Sequence, residues 1–404
     1  MQVVVALESR LARTPDGHVW ALGWLDYSFW RRYLDVFSQV RVVARLRQVA
    51  QAPPGARRVD GPQVSFARVP SYVGPWQFAR RYFTLRRTIG GALSPTDAAI
   101  LRVPGTIALL LEQPLRAAGR PYGVEVVSDP YDVFAPGAVR SILRPFLRWW
   151  IPRRLRHQCV HACAGAYVTA GTLQRRYPTA TEAYATSFSS INLHDEAFVS
   201  ESRSVRPTSQ RFNVLLIGSL EQLFKGPDVL IKAVAISVRS GLDIHLTIVG
   251  DGKHRRELEE LVRACGLAGR VRFTGQLPGG DPVRAELDRA DLFVIPSRHE
   301  GLPRALIEAL ARGLPCLGSN VGGIPELLSP EELVPRGDAE ALAATMQELR
   351  KDPHRLARLS ARNLNKAREF RAETLQARRR AFYEFVRDAT LKWQHGERGK
   401  VDEV

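Results

Sequence analysis

Five short apolar runs in the second half of the chain each end on Gly, Pro or Ser. They are NVLLIG (213–218), IHLTIVG (244–250), VRFTG (271–275), DLFVIP (291–296) and PCLGS (315–319). Between them lie longer stretches with helical apolar spacing and charge on the other face, such as GPDVLIKAVAISVRSG and GKHRRELEELVRACG. A short continuous apolar run suits a strand buried on both faces, and a helix returns the chain to start a parallel neighbour. The alternation therefore predicts a parallel sheet covered by helices on both sides.

The first half alternates more loosely. QVVVALE, VRVVARL, AAILRVPG and YGVEVVSD read as strands, with arginine-rich helical stretches among them. A chain of 404 residues is long for one core, so two domains are expected. The stretch around 196–211 is polar, carries Ser, Thr and Pro and lacks periodicity, which marks a linker. The boundaries drawn are 1–195, linker 196–211, and 212–375. Residues 376–404 are expected to be a C-terminal helix packing back on the first domain.

The formal net charge is +17, and it is concentrated at the front. Residues 1–200 hold 25 arginines, no lysine and 13 acidic side chains; the first lysine is Lys225. Such a front half suits an anionic partner (nucleic acid, an acidic bilayer or a phosphorylated substrate) or is a well-solvated arginine-rich surface; with no recognisable binding motif, nucleic acid is not the expected partner. Two stretches join aromatic residues to arginines. In GPWQFARRYFTLRRTIG, Phe78, Tyr82, Leu85 and Ile89 form one helical stripe, with Arg80, Arg81 and Arg87 elsewhere. RPFLRWWIPRRLRHQ adds Trp149 and Trp150. Each stripe is read either as an interfacial face for anionic lipid or as packing on the domain core.

HQCVHAC (157–163) alternates His157, Cys159, His161 and Cys163, but on a helix residues two apart face away from each other. Structural cysteines are the expectation there, and no metal site is expected. Four cysteines make no disulfide framework, which points to a reducing compartment. No uncharged apolar run of ~20 residues is present to span a bilayer. The expected place is the cytoplasm, with attachment to the inner face of the membrane as the finer reading.

In an open parallel sheet, ligands bind beyond the carboxyl ends of the strands. The glycine-bearing loops GSLEQLFKGPD, VGDGK, FTGQ, PSRHEGLP and GSNVGGIPE all follow strands on that edge. Glycines there, including Gly218, Gly250 and Gly275, are expected to let backbone approach a ligand. Pro303 fits the first helical position and Gly313 the stop, so a helix N-terminus faces the same edge. Glu308 falls in its second turn, where it either accepts from a vicinal diol or pairs with Arg304 and Arg312 four residues away.

This half, from about Asn213 to Pro335, resembles the retaining family-4 glycosyltransferases of the GT-B fold. The resemblance rests on KGPD, the pair Glu300 and Glu308 with seven residues between, ARGLPCLGS and VGGIPELL. It implies an α/β protein of GT-B type, two doubly wound Rossmann-like domains facing a cleft, with a C-terminal helical tail. It also implies that Glu308 holds the donor's ribose and that Lys225 meets the diphosphate. Glu300, with the backbone of Gly301 and Leu302, would face the sugar, and His299 and Pro303 complete the donor loop. Family members usually carry an arginine where Ser219 stands, so a second diphosphate cation is missing; either Arg298 or Arg304 substitutes, or a helix dipole carries more of the load.

The resemblance implies sugar transfer from a nucleotide-diphosphate sugar, with retention, to a saccharide or lipid-linked saccharide. No cofactor is expected, and the absence of any Asp-x-Asp fits a metal-independent site. On the acceptor side, Asp16 and Gly17 follow the first strand, while Arg102 and Asp129 end two others; Asp129 is the candidate to position the acceptor hydroxyl. A sugar-nucleotide epimerase of the same fold is the alternative. A nicotinamide-dependent oxidoreductase fits less well, because VGDGKHR lacks the third glycine and the acid ~20 residues on.

Overall fold

The computed structural model describes residues 1–23, 25–135, 142–204 and 211–396. The chain divides into two compact units, 1–130 with 149–188 and 376–404, and 131–148 with 189–375.

The first unit is built on a ten-stranded sheet. Its main strands are β1 (Gln2–Arg13), β2 (Gln39–Gln48), β3 (Ala98–Val103), β4 (Gly123–Val126), β5 (Ala164–Tyr167) and β6 (Tyr184–Ser187). They lie in the order β2–β1–β3–β4–β5–β6, all parallel. β1 is longer than its apolar run. Its register against β2 shifts between Ala6 and Arg10, and its far end forms a hairpin with Val19–Ala21. AGAY and YATS, which supply β5 and β6, are too short and too small in side chain to announce themselves as strands.

Helix α1 (Gly74–Gly90) decides between the two readings of its apolar stripe. Leu85 and Ile89 are fully buried, and Phe78 and Tyr82 pack against the same core. Burying a side chain of this kind contributes roughly 1.5–3 kcal/mol, so the stripe belongs to the core and not to an interface. The opposite face, two residues round the helix, exposes Trp76 (87%) and Phe83 (81%). Below α1 runs α2 (Thr106–Ala117). Helix α3 (Arg144–Val160) carries Cys159 into the core and ends before Cys163, whose thiol donates to the Tyr122 carbonyl at 3.3 Å. Burial pushes both thiols up to about 12.

The second unit holds a six-stranded parallel sheet: β7 (Phe212–Ile217), β8 (Ile244–Val249), β9 (Val271–Gly275), β10 (Leu292–Ile295), β11 (Cys316–Ser319) and β12 (Leu333–Val334). Their order is β9–β8–β7–β10–β11–β12. The chain starts in the middle, winds outward one way, then returns to wind the other, so the order reverses between β7 and β10. That reversal opens the crevice in which doubly wound sheets bind ligands. The helices include α4 (Pro227–Arg239), α5 (Arg255–Ala264), α6 (Asp281–Arg289) and α7 (Arg304–Ala311).

The last long helix, α8 (Ala372–Gln394), enters the first unit from Gln376 onward. Tyr383 stacks on Tyr33 with centroids 4.6 Å apart and donates its hydroxyl to Glu125 at 3.1 Å.

Candidate active site

Lys225 and Glu300 come from the loops after β7 and β10, the two strands that flank the point where the sheet order reverses. The Lys225 ammonium bonds to Glu300 Oε1, and Ser297 Oγ donates to the same oxygen at 2.9 Å. Glu300 is 8% exposed, and these two donors take the place of water at its buried oxygen.

The loop carrying Lys225 is shaped locally. A single 3-10 turn (Leu223–Lys225) precedes Gly226, which adopts φ +68° and hands over to Pro227 at the start of α4. A Cβ on Gly226 would lie 2.1 Å from the Pro296 carbonyl oxygen, so no other residue fits. Arg298 clamps the turn. Its guanidinium donates to the Leu223 carbonyl at 2.8 Å and to both oxygens of Asp228 at 2.7 and 2.6 Å. Its backbone N–H reaches the Phe224 carbonyl at 2.7 Å. The bonds to Asp228 hold its guanidinium still further above the ordinary range. Arg298 thus ties the loop after β10 to the turn that carries Lys225. Ser219 itself is exposed, and its hydroxyl accepts from the Glu221 N–H.

Two glycines of these loops lie hard against neighbouring backbone. A Cβ on Gly250 would sit 1.9 Å from the Gly218 carbonyl oxygen, and one on Gly252 would sit 2.1 Å from the Glu221 nitrogen. Gly250 also donates to the Gly275 carbonyl at 2.9 Å. These residues let three loops pack on one another along the edge. Gly322 does the same against the Glu300 carbonyl, and Gly323 donates to the Gly301 carbonyl at 2.7 Å. The VGG turn therefore backs the loop from Glu300 to Leu302. His299 meets Phe224 edge to face at 5.7 Å.

Pro303 is the residue before α7, extended at φ −73° and ψ 113°, one place earlier than the sequence suggested. Gly313 adopts φ +56° just past its end, as a helix stop requires. Glu308 borders a cleft of about 520 Å³, also lined by Asn192, His194, Gly280, Arg284 and Arg312. Burial pushes its carboxyl up, against the opposing pull of Arg304 and Arg284. Arg312 pairs with Asp288, at 2.7 and 2.8 Å, so it is not the partner that a helical i+4 spacing would supply.

In the first unit, Asp16 and Gly17 form the tip of the β1 hairpin; Gly17 adopts φ +90°, and Thr14 Oγ1 donates to Asp16 at 2.5 Å. That bond, with the His18 N–H, holds Asp16 below the usual carboxylate range. Arg102 lies in the interior and not at the edge. It pairs with Glu125 in the next strand and sits 5.0 Å from the Phe29 ring. Asp129 is 1% exposed; Tyr177 donates to it at 2.5 Å, and Arg176 pairs with it. Sequence reasoning passed over Glu8, at the end of the run QVVVALE. It pairs with Arg45 at 2.8 Å and accepts from Thr106 Oγ1 and the Ile107 N–H at the start of α2. An acid closing an apolar strand was the available signal.

Residues 200–366 match the family model described as Glycosyl transferases group 1. The chain is 23% identical over 338 residues to Protein CapJ of Staphylococcus aureus, spanning 82% of each. Over 149 residues it is 36% identical to the amylovoran biosynthesis glycosyltransferase AmsK of Erwinia amylovora, spanning 35% of this chain and 36% of AmsK. Among solved structures it resembles Anabaena HepE in complex with UDP and glucose. There the TM-score is 0.61 at 16% identity, over 93% of this chain and 97% of HepE. A fold shared over nearly the whole length and a family-model match across residues 200–366 agree: the chain has the GT-B fold, and its second unit is similar to the glycosyl transferases group 1.

Proposed function

We propose that the protein moves a sugar from a nucleoside diphosphate sugar to a hydroxyl of a saccharide or lipid-linked saccharide, with retention and without a metal. The observation that carries this reading is the Lys225–Glu300 pair over the switch point of the second sheet. HepE, of the same fold, is seen with UDP and glucose, which supports a nucleotide sugar as donor.

In this reading the bond between the anomeric carbon and the β-phosphate oxygen breaks as the acceptor oxygen bonds to that carbon on the same face. The acceptor proton passes to the departing phosphate oxygen. Negative charge grows on the diphosphate, and Lys225 is the cation that meets it. Glu300 takes hydroxyls of the sugar, and Glu308, beside its cleft, takes those of the ribose. The acceptor belongs to the first unit, by Glu8, where the register of β1 shifts, and Asp129, just past the end of β4.

A thermal-shift panel of UDP, GDP and other nucleoside diphosphates in the presence of chelator tests the donor side. A ligand selective for the native state raises the midpoint, and a rise in chelator is the expected result. A rise seen only with magnesium or manganese overturns metal independence. Sugar epimerisation in a donor-only incubation would favour the epimerase reading instead.

A second reading concerns where the acceptor is presented. Among the described residues no helix is long and apolar enough to cross a membrane. The outer face of α1 repeats Trp76, Arg80, Phe83 and Arg87 at helical spacing, flanked by Arg81 and Arg86, all exposed. Aromatic side chains among cations suit the interface of an anionic bilayer. This favours a cytoplasmic protein bound peripherally to the inner membrane face.

A further inference from the structure

Lys225 and Glu300 are bonded to each other, and both are largely enclosed, at 26% and 9% side-chain exposure. A diphosphate that recruits Lys225 must therefore compete with a carboxylate already in place. Arg298, the nearest alternative cation in sequence, is held by Asp228. We infer that Glu300 is a specificity determinant that weakens binding of the bare nucleoside diphosphate, by holding Lys225 until a sugar offers hydroxyls in its place.

The argument rests on the proposed donor site and on elementary charge accounting. Glu300 Oε1 accepts from Lys225 and from Ser297. When a diphosphate draws the ammonium away, the carboxylate loses its charged donor and faces a new anion at short range. A sugar attached to the diphosphate supplies hydroxyl donors that offset this loss. The spent nucleotide has none, so the enclosed carboxylate stays poorly satisfied. The same residue thus favours the sugar-bearing donor over the product, which helps the product leave. A glutamine in its place still accepts from the Lys225 ammonium through a neutral oxygen, but the attraction between two opposite charges is gone.

Isothermal titration of the full chain with UDP and GDP, and with UDP-glucose and GDP-mannose as sugar-bearing probes, tests this. Glu300→Gln should tighten the bare diphosphate roughly tenfold, the equivalent of one charge-assisted bond, and tighten its sugar-bearing form less or weaken it. Glu300→Asp keeps the charge but draws it back by one methylene, so it should tighten the bare diphosphate by a smaller factor. In a Lys225→Gln background, Glu300→Gln should bring a much smaller gain, because only the repulsion between carboxylate and diphosphate is left to relieve. An equal gain in that background would mean that Glu300 merely repels anions, and overturns the inference. Unchanged or weaker diphosphate binding in both Glu300 variants overturns it as well, as does an equal gain for the sugar-bearing probes. Failure of the unmodified protein to bind any of the four probes would overturn the donor-site reading itself, and with it this inference.

Discussion

Arg298 grips Asp228 with two nitrogens, at 2.7 and 2.6 Å, across 70 residues of sequence. The same guanidinium also holds the Leu223 carbonyl, so one side chain ties the loop after β10 to the turn that presents Lys225. Its charge holds the geometry of that loop.

Asp228→Asn should therefore weaken nucleoside diphosphate binding although Asp228 itself meets no ligand. Loss of one charged bond from the pair predicts a cost of about 1.5 kcal/mol, smaller than the cost of Lys225→Met. Titration calorimetry on both variants checks the order. If Asp228→Asn binds as well as the unmodified chain, the clamp does not position Lys225.

Glu308 gives a pH signature. Burial raises its folded-state pKa above the unfolded value, so folding prefers the neutral carboxyl. The stability it contributes is present below the ordinary carboxylate range and is lost as pH rises through the raised value. Glu308→Gln should accordingly raise the unfolding midpoint at neutral pH, and the gain should fade as pH falls below about 4. The same variant should weaken nucleotide binding by about 1–3 kcal/mol, the cost of ribose hydroxyls left poorly paired. A gain in midpoint that grows toward acid pH would contradict the assignment.

Gly250 adopts φ +142°, and a Cβ there meets the Gly218 carbonyl at 1.9 Å. Gly250→Ala should cost roughly 3 kcal/mol, read as a lower midpoint in denaturant. Gly241→Ala is the contrast, because its Cβ meets nothing within 4 Å and only the φ of +89° is strained. Similar losses in both would show that the loop packing adds nothing beyond backbone strain.

The outer face of α1 should bind anionic vesicles at low salt and release them as ionic strength rises. Each basic residue near such a surface contributes about 1 kcal/mol. Reversing Arg80, Arg81, Arg86 and Arg87 to Glu should abolish co-sedimentation while diphosphate binding persists. Trp76→Ala with Phe83→Ala should weaken it without changing its salt dependence. Equal partition to neutral and anionic vesicles would leave the arginines as plain surface.

The second sheet was legible because its strands are buried on both faces and so had to be written as unbroken apolar runs between glycines. The linear spacing of Glu300 and Glu308 also set them at a helix start, since local chain geometry alone decides that. Long-range partnership was not legible. Whether Arg298 meets a ligand or Asp228, and whether Arg312 meets Glu308 or Asp288, depends on which charge another segment delivers, and sequence spacing carries no record of it. The glycines show the same division. Their sequence demands close approach, but only the fold decides that Gly250 approaches Gly218. In α1 the periodicity marked one apolar face correctly, while the exposure of Trp76 and Phe83 on the other emerged only once the core had claimed the first. A helix has two faces and a domain one core, so tertiary packing alone chooses between them.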